Sequence, residues 1–385
     1  MGKLSDICDL INEKMKVNQD INKRLCETYI STENMLPNKR GITNASSIPA
    51  SGSITAFEEA DTLVSNIRPY FKKIWYAETS GGCSNDVLVF RAKNGINPYF
   101  VYYTLSNDEF FNYSMKTSKG TKMPRGDKKA IMNYPIRRLD LSTQIKATKI
   151  LRVVDEKIRL NNMINNNLEE QLLAYYRELF IINAKATWKA GTIADLGSVV
   201  GGSTPSKKKP EYYTDNGIAW ITPKDLSNDH FKFITHGEID ITEQGFANSS
   251  AVRMPAGTVI FSSRAPIGYI AIADGEVTTN QGFKSVIPFA EIGTAYVYCF
   301  LRENITIIEN MASGSTFKEI SGSTMKIVPA IIPDSNTLSL FRGYADTIFN
   351  QQRNNEAEIK RLSSIRDLLL PRLMSGEIDV SSIDI

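Results

Sequence analysis

The sequence predicts an α+β protein: two mixed α/β domains joined by two long helices that pair as an antiparallel coiled coil, with a pseudo-two-fold internal repeat. Three observations lead there. A stretch near mid-chain and another at the C-terminal end place apolar residues at alternating steps of three and four. The segments that precede them share motifs in the same order. Each helical stripe is also too narrow for a helix buried all round, so each helix needs a partner.

The first helix falls within 141–182, and its seam runs Leu151, Val154, Ile158, Asn161, Asn165, Leu168, Leu172, Tyr175 and Leu179. The second lies within 334–385 and runs Leu338, Phe341, Ala345, Ile348, Gln352, Asn355, Ile359, Leu362 and Leu369, breaking rhythm only at Arg366. Pairing within the chain accounts for two copies of equal length; pairing between chains is the alternative. The central amides either fix the register at some cost in stability or mark a poorly packed stretch. About 40 residues at 1.5 Å each make a rod of roughly 60 Å. Antiparallel rods would carry one domain at each end, an arrangement that suits the two-fold symmetry of duplex DNA.

The repeat divides the rest into domains at 1–140 and 183–333. Turns at Ile67-Arg68-Pro69 and Ser263-Arg264-Ala265-Pro266 fall about 196 residues apart, and Phe100–Leu105 matches Tyr296–Leu301 at the same offset. A glycine-bearing loop follows in each half, from Ser118 and from Ser313, and then a proline-bearing apolar segment leads into the helix. Runs such as Thr258–Phe261 and Ile270–Ile272 read as strands; Pro98–Asn107 and Thr294–Asn304 read as helices.

Composition is that of an ordinary globular protein, 42% hydrophobic and 23% charged. A net charge of +3 means that any nucleic-acid binding must rest on local patches. The four cysteines form no CxxC pair and the histidines are only two, so no metal site is expected. No apolar run has membrane-spanning length and no signal peptide opens the chain, which points to the cytoplasm.

Several stretches together resemble the DNA-specificity subunit of type I restriction–modification enzymes. They are GTIADLGSVVGGSTPS from Gly191, IAWITPKDL from Ile218, FSSRAPIGYIAI from Phe261, TNQGFKSV from Thr279 and IRDLLLPRLMSGEI from Ile365. The first domain departs from the pattern: it lacks the GGTP-like turn, and Cys83-Ser84-Asn85-Asp86 stands for Thr279-Asn280-Gln281-Gly282. The resemblance implies a non-catalytic chain in which each domain reads half of a split target. The helices would set the gap and dock two methyltransferase subunits, and two restriction–translocase subunits would join them. S-adenosylmethionine, ATP and Mg²⁺ would then sit on those partners, and no cofactor on this chain.

Such readers need basic and amide side chains on loops that enter a groove. The stretch 116–138 offers Lys116, Lys119, Lys122, Arg125 and Lys128 among its cations against a single acid, Asp127. Gly120 and Gly126 would let that loop approach a duplex. The matching loop carries Ser315, Thr316 and Lys318, with Lys284 on the segment that follows Asn280 and Gln281. Arg68 and Arg264 either read guanine or pair with carboxylates inside their domains. Asn280 and Gln281 either clasp adenine or close a turn before Gly282. Lys207 and Lys208 are phosphate contacts or plain solvated charge, and Lys72 and Lys73 carry the same two readings.

Catalytic motifs are missing. Asn97-Pro98-Tyr99-Phe100 lacks the second proline of the amino-methyltransferase signature and begins a helix. Pro333-Asp334 with Glu358-Ile359-Lys360 mimics a nuclease pattern, yet the latter three lie on the seam helix. No phosphate-binding GxxxxGK[ST] loop exists.

Overall fold

The computed structural model describes residues 1–17, 28–229, 231–314 and 318–383. It forms two compact units, Met1–Ile158 with Arg361–Ile385, and Arg159–Lys360. The long helices therefore contribute to both.

In the first unit an antiparallel sheet runs Cys8–Ile11, Val87–Ala92, Thr62–Ser65, Ile74–Tyr76 in spatial order. A second sheet orders Lys14–Lys16, Ser53–Phe57, Gly81–Cys83 and Tyr29–Ile30, its last pair parallel. Three helices follow: α1 (Pro98–Ser106), α2 (Asp108–Lys116) and α3 (Lys128–Met132). Each start has a chemical cause. The side chains of Asn97, Asn107 and Asp127 accept from backbone N–H groups of the first turns, and Pro98 occupies a position whose N–H would have no helical partner.

The first long helix, α4, spans Leu141–Arg177 and ends in a π turn, Glu178–Ile182. The core of this unit joins Leu4, Leu88, Phe90, Phe100 and Phe110 to Leu151 of α4. It also takes Leu370, Leu373, Met374 and Val380 from the C-terminal end of the chain. Gly2–Lys3 pairs with Pro135–Ile136, the proline-bearing segment that leads into α4.

The second unit holds a five-stranded sheet in the order Gly197–Gly201, Lys284–Pro288, Val259–Ser263, Ile267–Ala273, Phe233–Ile234, again with a parallel last pair. Helix α5 (Thr294–Glu303) packs against it, and α6 (Ser335–Met374) is the second long helix. Here too the segment before the long helix, Pro329–Ile332, pairs with the strand that opens the domain, Lys189–Thr192. Leu172 and Tyr176 from α4 and Phe180 from the π turn that follows it meet Phe341 from α6 in one core, with Phe180 and Phe341 edge to face at 5.2 Å.

Helix pairing is visible within each unit. Of the seam positions, Leu151, Leu172, Phe341, Ile348 and Ile359 are buried, and Val154, Ile158, Leu168, Leu362 and Leu369 are half-buried. In the second unit, Asn161 donates to Glu358 at 2.8 Å. Gln352 donates to the Asn165 carbonyl at 3.0 Å, Asn355 donates to the Asn165 side chain at 2.8 Å, and Tyr175 tilts onto Phe341. Rising numbers on α4 meet falling numbers on α6, so these segments run in opposite directions. In the first unit the Arg366 that breaks the apolar rhythm reaches Asp155 at 3.2 Å, and the same carboxylate accepts from Tyr103 at 2.8 Å.

The central amides are thus satisfied across the helices. Asn165→Ala removes the acceptor of Asn355 without supplying another. We expect about 1–2 kcal/mol lost from the second unit in urea unfolding. No loss would mean that water satisfies these groups equally well.

Candidate nucleic-acid interface

In the first unit the candidate cations gather around two adjoining turns. Arg68 sits in the left-handed region at φ 50°, opening a 3₁₀ turn over Pro69–Phe71. Its N–H donates to the Pro124 carbonyl at 2.9 Å, while its guanidinium Nε is buried without a partner. Pro124 belongs to a short hairpin closed by reciprocal bonds of 2.9 and 3.0 Å between Lys119 and Arg125. Gly120 at φ 90° makes that hairpin's turn. Gly126 serves the interior instead: a Cβ there would come within 2.7 Å of Ile131, so its missing side chain is a packing requirement and not an opening toward a duplex.

Lys116, Lys119, Lys122, Arg125 and Lys128 are all exposed. Two of them carry acids: Lys119 reaches Asp127 at 2.7 Å, and Arg125 reaches Asp86 at 3.2 Å. The Lys119 ammonium, followed by N–H bonds from α3, holds the Asp127 carboxyl below its ordinary pKa. Asp86 lay outside the basic stretch 116–138 in the sequence. So did Asp108, whose carboxylate takes both Lys72 at 2.7 Å and Lys39 at 2.8 Å. Burial raises the Asp108 pKa, but the two ammoniums outweigh it and leave it lowered.

The second unit repeats the hairpin with different chemistry. Ser313 and Glu319 close it by bonds of 3.1 and 2.9 Å, with Gly314 at φ 119°. Glu319 stands where the first unit has Arg125. It pairs with Arg264 at 3.2 Å and with Lys284 at 3.8 Å. Arg264 is thus the carboxylate-paired arginine, in contrast to Arg68. Burial lowers the pKa of Lys284. Lys318 is exposed, whereas Ser315 and Thr316 lie outside the described residues.

Two of the sequence motifs meet here. The Gly202 turn packs so closely on Thr279 and Asn280 that a Cβ would lie 2.0 Å from the Asn280 carbonyl. Ser203 donates to the Thr279 carbonyl at 2.8 Å, and Thr204 hydrogen-bonds Gln281. Asn280 accepts from the Gly282 N–H at 2.8 Å, which closes the turn. Lys207 and Lys208 are exposed. The GGSTP and TNQG motifs are therefore mates. Their spacing of about 77 residues hid the pairing from sequence inspection.

Among the described residues no group of three or more His, Cys, Asp or Glu is placed to hold a metal ion, and no helix is long and apolar enough to cross a membrane. Burial pushes the Cys8 and Cys83 thiols up to about 12, which makes both inert at neutral pH.

Comparison with known proteins gives four findings. A family model described as "Type I restriction modification DNA specificity domain" matches residues 1–170 and again 185–358. The chain is 38% identical over 187 residues to the type I restriction enzyme MjaIX specificity subunit of Methanocaldococcus jannaschii, a match covering 47% of this chain but only 43% of that one. It is 25% identical over 435 residues to the type I restriction enzyme HindI specificity subunit of Haemophilus influenzae, covering 91% of this chain and 94% of the relative. Among solved structures, a type I restriction–modification S subunit from M. genitalium superposes with a TM-score of 0.57 at 15% identity, over 97% of this chain and 95% of that one. At such identity the likeness concerns the fold alone.

Proposed function

The chain belongs to the type I restriction modification DNA specificity family, and on that premise we propose that it is the sequence-reading and scaffold subunit of a type I restriction–modification complex. It is a specificity subunit and not itself an enzyme. The observation that carries this reading is the double match, one specificity domain on each half of the chain.

In this proposal residues 1–140 and 183–333 are target-recognition domains, each reading one half of a bipartite duplex sequence. The helices within 141–182 and 334–385 form an antiparallel coiled coil, relating the two halves by a pseudo-two-fold. They set the unread gap and dock two methyltransferase subunits; two restriction–translocase subunits complete the assembly. S-adenosylmethionine, ATP and Mg²⁺ belong to those partners, and the complex works in the cytoplasm. The carboxylate chemistry of the two hairpins supports dissimilar half-sites: Arg125 in one stands against Glu319 in the other.

Methylation mapping tests the proposal. Deleting the gene should erase methyladenine from one split motif in the host genome. Inserting a heptad into either long helix adds roughly 10 Å, and the unread gap should lengthen by about three base pairs. Both half-sites should stay as they were. A changed half-site with an unchanged gap would refute the role given to the helices.

A further inference from the structure

One turn of the first unit is built more firmly than its position on the surface requires. Arg68 and Lys72, on either side of Pro69-Tyr70-Phe71, both hold φ 50°, and the facing residues Asn38 and Lys39 hold φ 57° and 61°. Left-handed backbone is unfavourable for residues with a Cβ and persists only where the surroundings impose it. Here they do. Asn38 N–H donates to the Phe71 carbonyl at 2.8 Å, and Lys39 N–H to the Lys72 carbonyl at 2.9 Å. The ammoniums of Lys39 and Lys72 share Asp108. Lys73 donates to the Thr32 carbonyl at 2.6 Å, and Pro69 is buried beneath the turn.

What this frame displays is a pair of aromatic rings. Tyr70 is 49% exposed and Phe71 37%, their centroids 4.7 Å apart. The basic hairpin adjoins them through the Arg68–Pro124 bond, and its tip adds Met123, 48% exposed. An apolar tip whose rim stays net positive, with Lys39, Arg68, Lys72, Lys119, Lys122 and Arg125 against Asp86, Asp108 and Asp127, matches a ligand with anionic edges and apolar faces. Duplex DNA has that pattern: phosphates for the lysines, base edges and thymine methyls for the rings. A protein partner docking on aromatic residues would favour a rim less dominated by one sign of charge. The corresponding turn of the second unit, Arg264-Ala265-Pro266, carries no aromatic pair.

Resting on the functional reading above, we propose that Tyr70 and Phe71 are specificity-determining residues of the first domain, making apolar contact with bases of its half-site. The strained frame keeps the rings ordered before DNA arrives, so little side-chain freedom is lost on binding.

The test is selection from a randomised duplex library by the full chain with its partner subunits present. Wild type should recover one split motif. Tyr70→Ala with Phe71→Ala should bind that motif about 10- to 100-fold more weakly. It should recover a motif degenerate in one half and intact in the other, and its salt dependence should be unchanged because no charge is lost. Tyr70→Phe keeps the ring and should keep the motif. Recovery of the full motif by the double variant at wild-type affinity would overturn the assignment, as would a Tyr70→Phe variant as degenerate as the double variant. A wild-type chain that selects no motif would overturn the functional reading itself, a result distinct from either.

Discussion

Alanine at Lys119, Lys122 and Arg125 together is expected to lower the slope of log affinity against log salt by about 2 to 3, and to weaken binding to all duplexes alike. The size of the change is informative because two of the three cations already have partners. Lys119 holds Asp127 and Arg125 holds Asp86, in pairs whose cations are solvent-exposed. Exposed pairs of this kind hold weakly in water. Asp127 would not be stranded by the loss of Lys119, since it still accepts from the N–H groups of Lys129 and Ala130. Both cations are therefore free to exchange a carboxylate for a phosphate. Anisotropy titrations between 50 and 200 mM salt, a range over which such contacts are strongly screened, decide the matter. A slope change of about 1 would mean that Lys122 alone meets the backbone, and no change would remove the hairpin from the interface.

The second large effect concerns a buried charge. Lys232 is 8% exposed and binds Glu169 of α4, and it donates to Gln352 of α6 at 2.6 Å. It lies 4.6 Å from the Tyr298 ring centre and 4.8 Å from that of Phe349, while Tyr298 donates to Glu169 at 2.7 Å. Glu169→Ala should destabilise the second unit by about 3–5 kcal/mol, because the ammonium is left buried and unpaired. Lys232→Met with Glu169→Leu should be far milder, since both charges then leave together. Chemical denaturation of the two variants checks the contrast; equal losses would mean the pair is not what holds this region.

Acid should act through the same contact. Burial raises the Glu169 pKa, but Lys232, Tyr298 and Arg302 outweigh it and leave it below its ordinary 4.5. A carboxylate with a depressed folded pKa stabilises fully above its unfolded value and ceases to as pH falls through the folded one. The loss therefore begins below about pH 4.5.

The helices could be read from the sequence because a seam is a local pattern: Leu151, Leu172, Phe341 and Ile359 declare themselves by spacing. The basic hairpin was readable for the same reason. Partners distant in sequence were not. Asp86 and Asp108, which neutralise Arg125, Lys39 and Lys72, carry no local sign of that role, and Gly126 looked like a loop glycine until Ile131 was seen against it. The Tyr70–Phe71 pair, by contrast, carries a local signal: two aromatics between cations in a proline turn, with no periodicity to bury them. Sheet order left no trace in the strands themselves, which are mostly short and mix through bonds between distant segments.

The tail beyond α6 has a consequence for synthesis. Val380 and the terminal leucines of α6 fill a core that otherwise belongs to the earliest-made part of the chain, and Lys146 donates to the Ser381 carbonyl at 2.7 Å. Translation therefore delivers the N-terminal module long before the residues that seal it. A nonsense mutation or frameshift that removes residues 370–380 would damage the module built from residues 1–158. Any gene exchange that trades modules between such proteins must carry the codons for residues 370–380 with those for the N-terminal module.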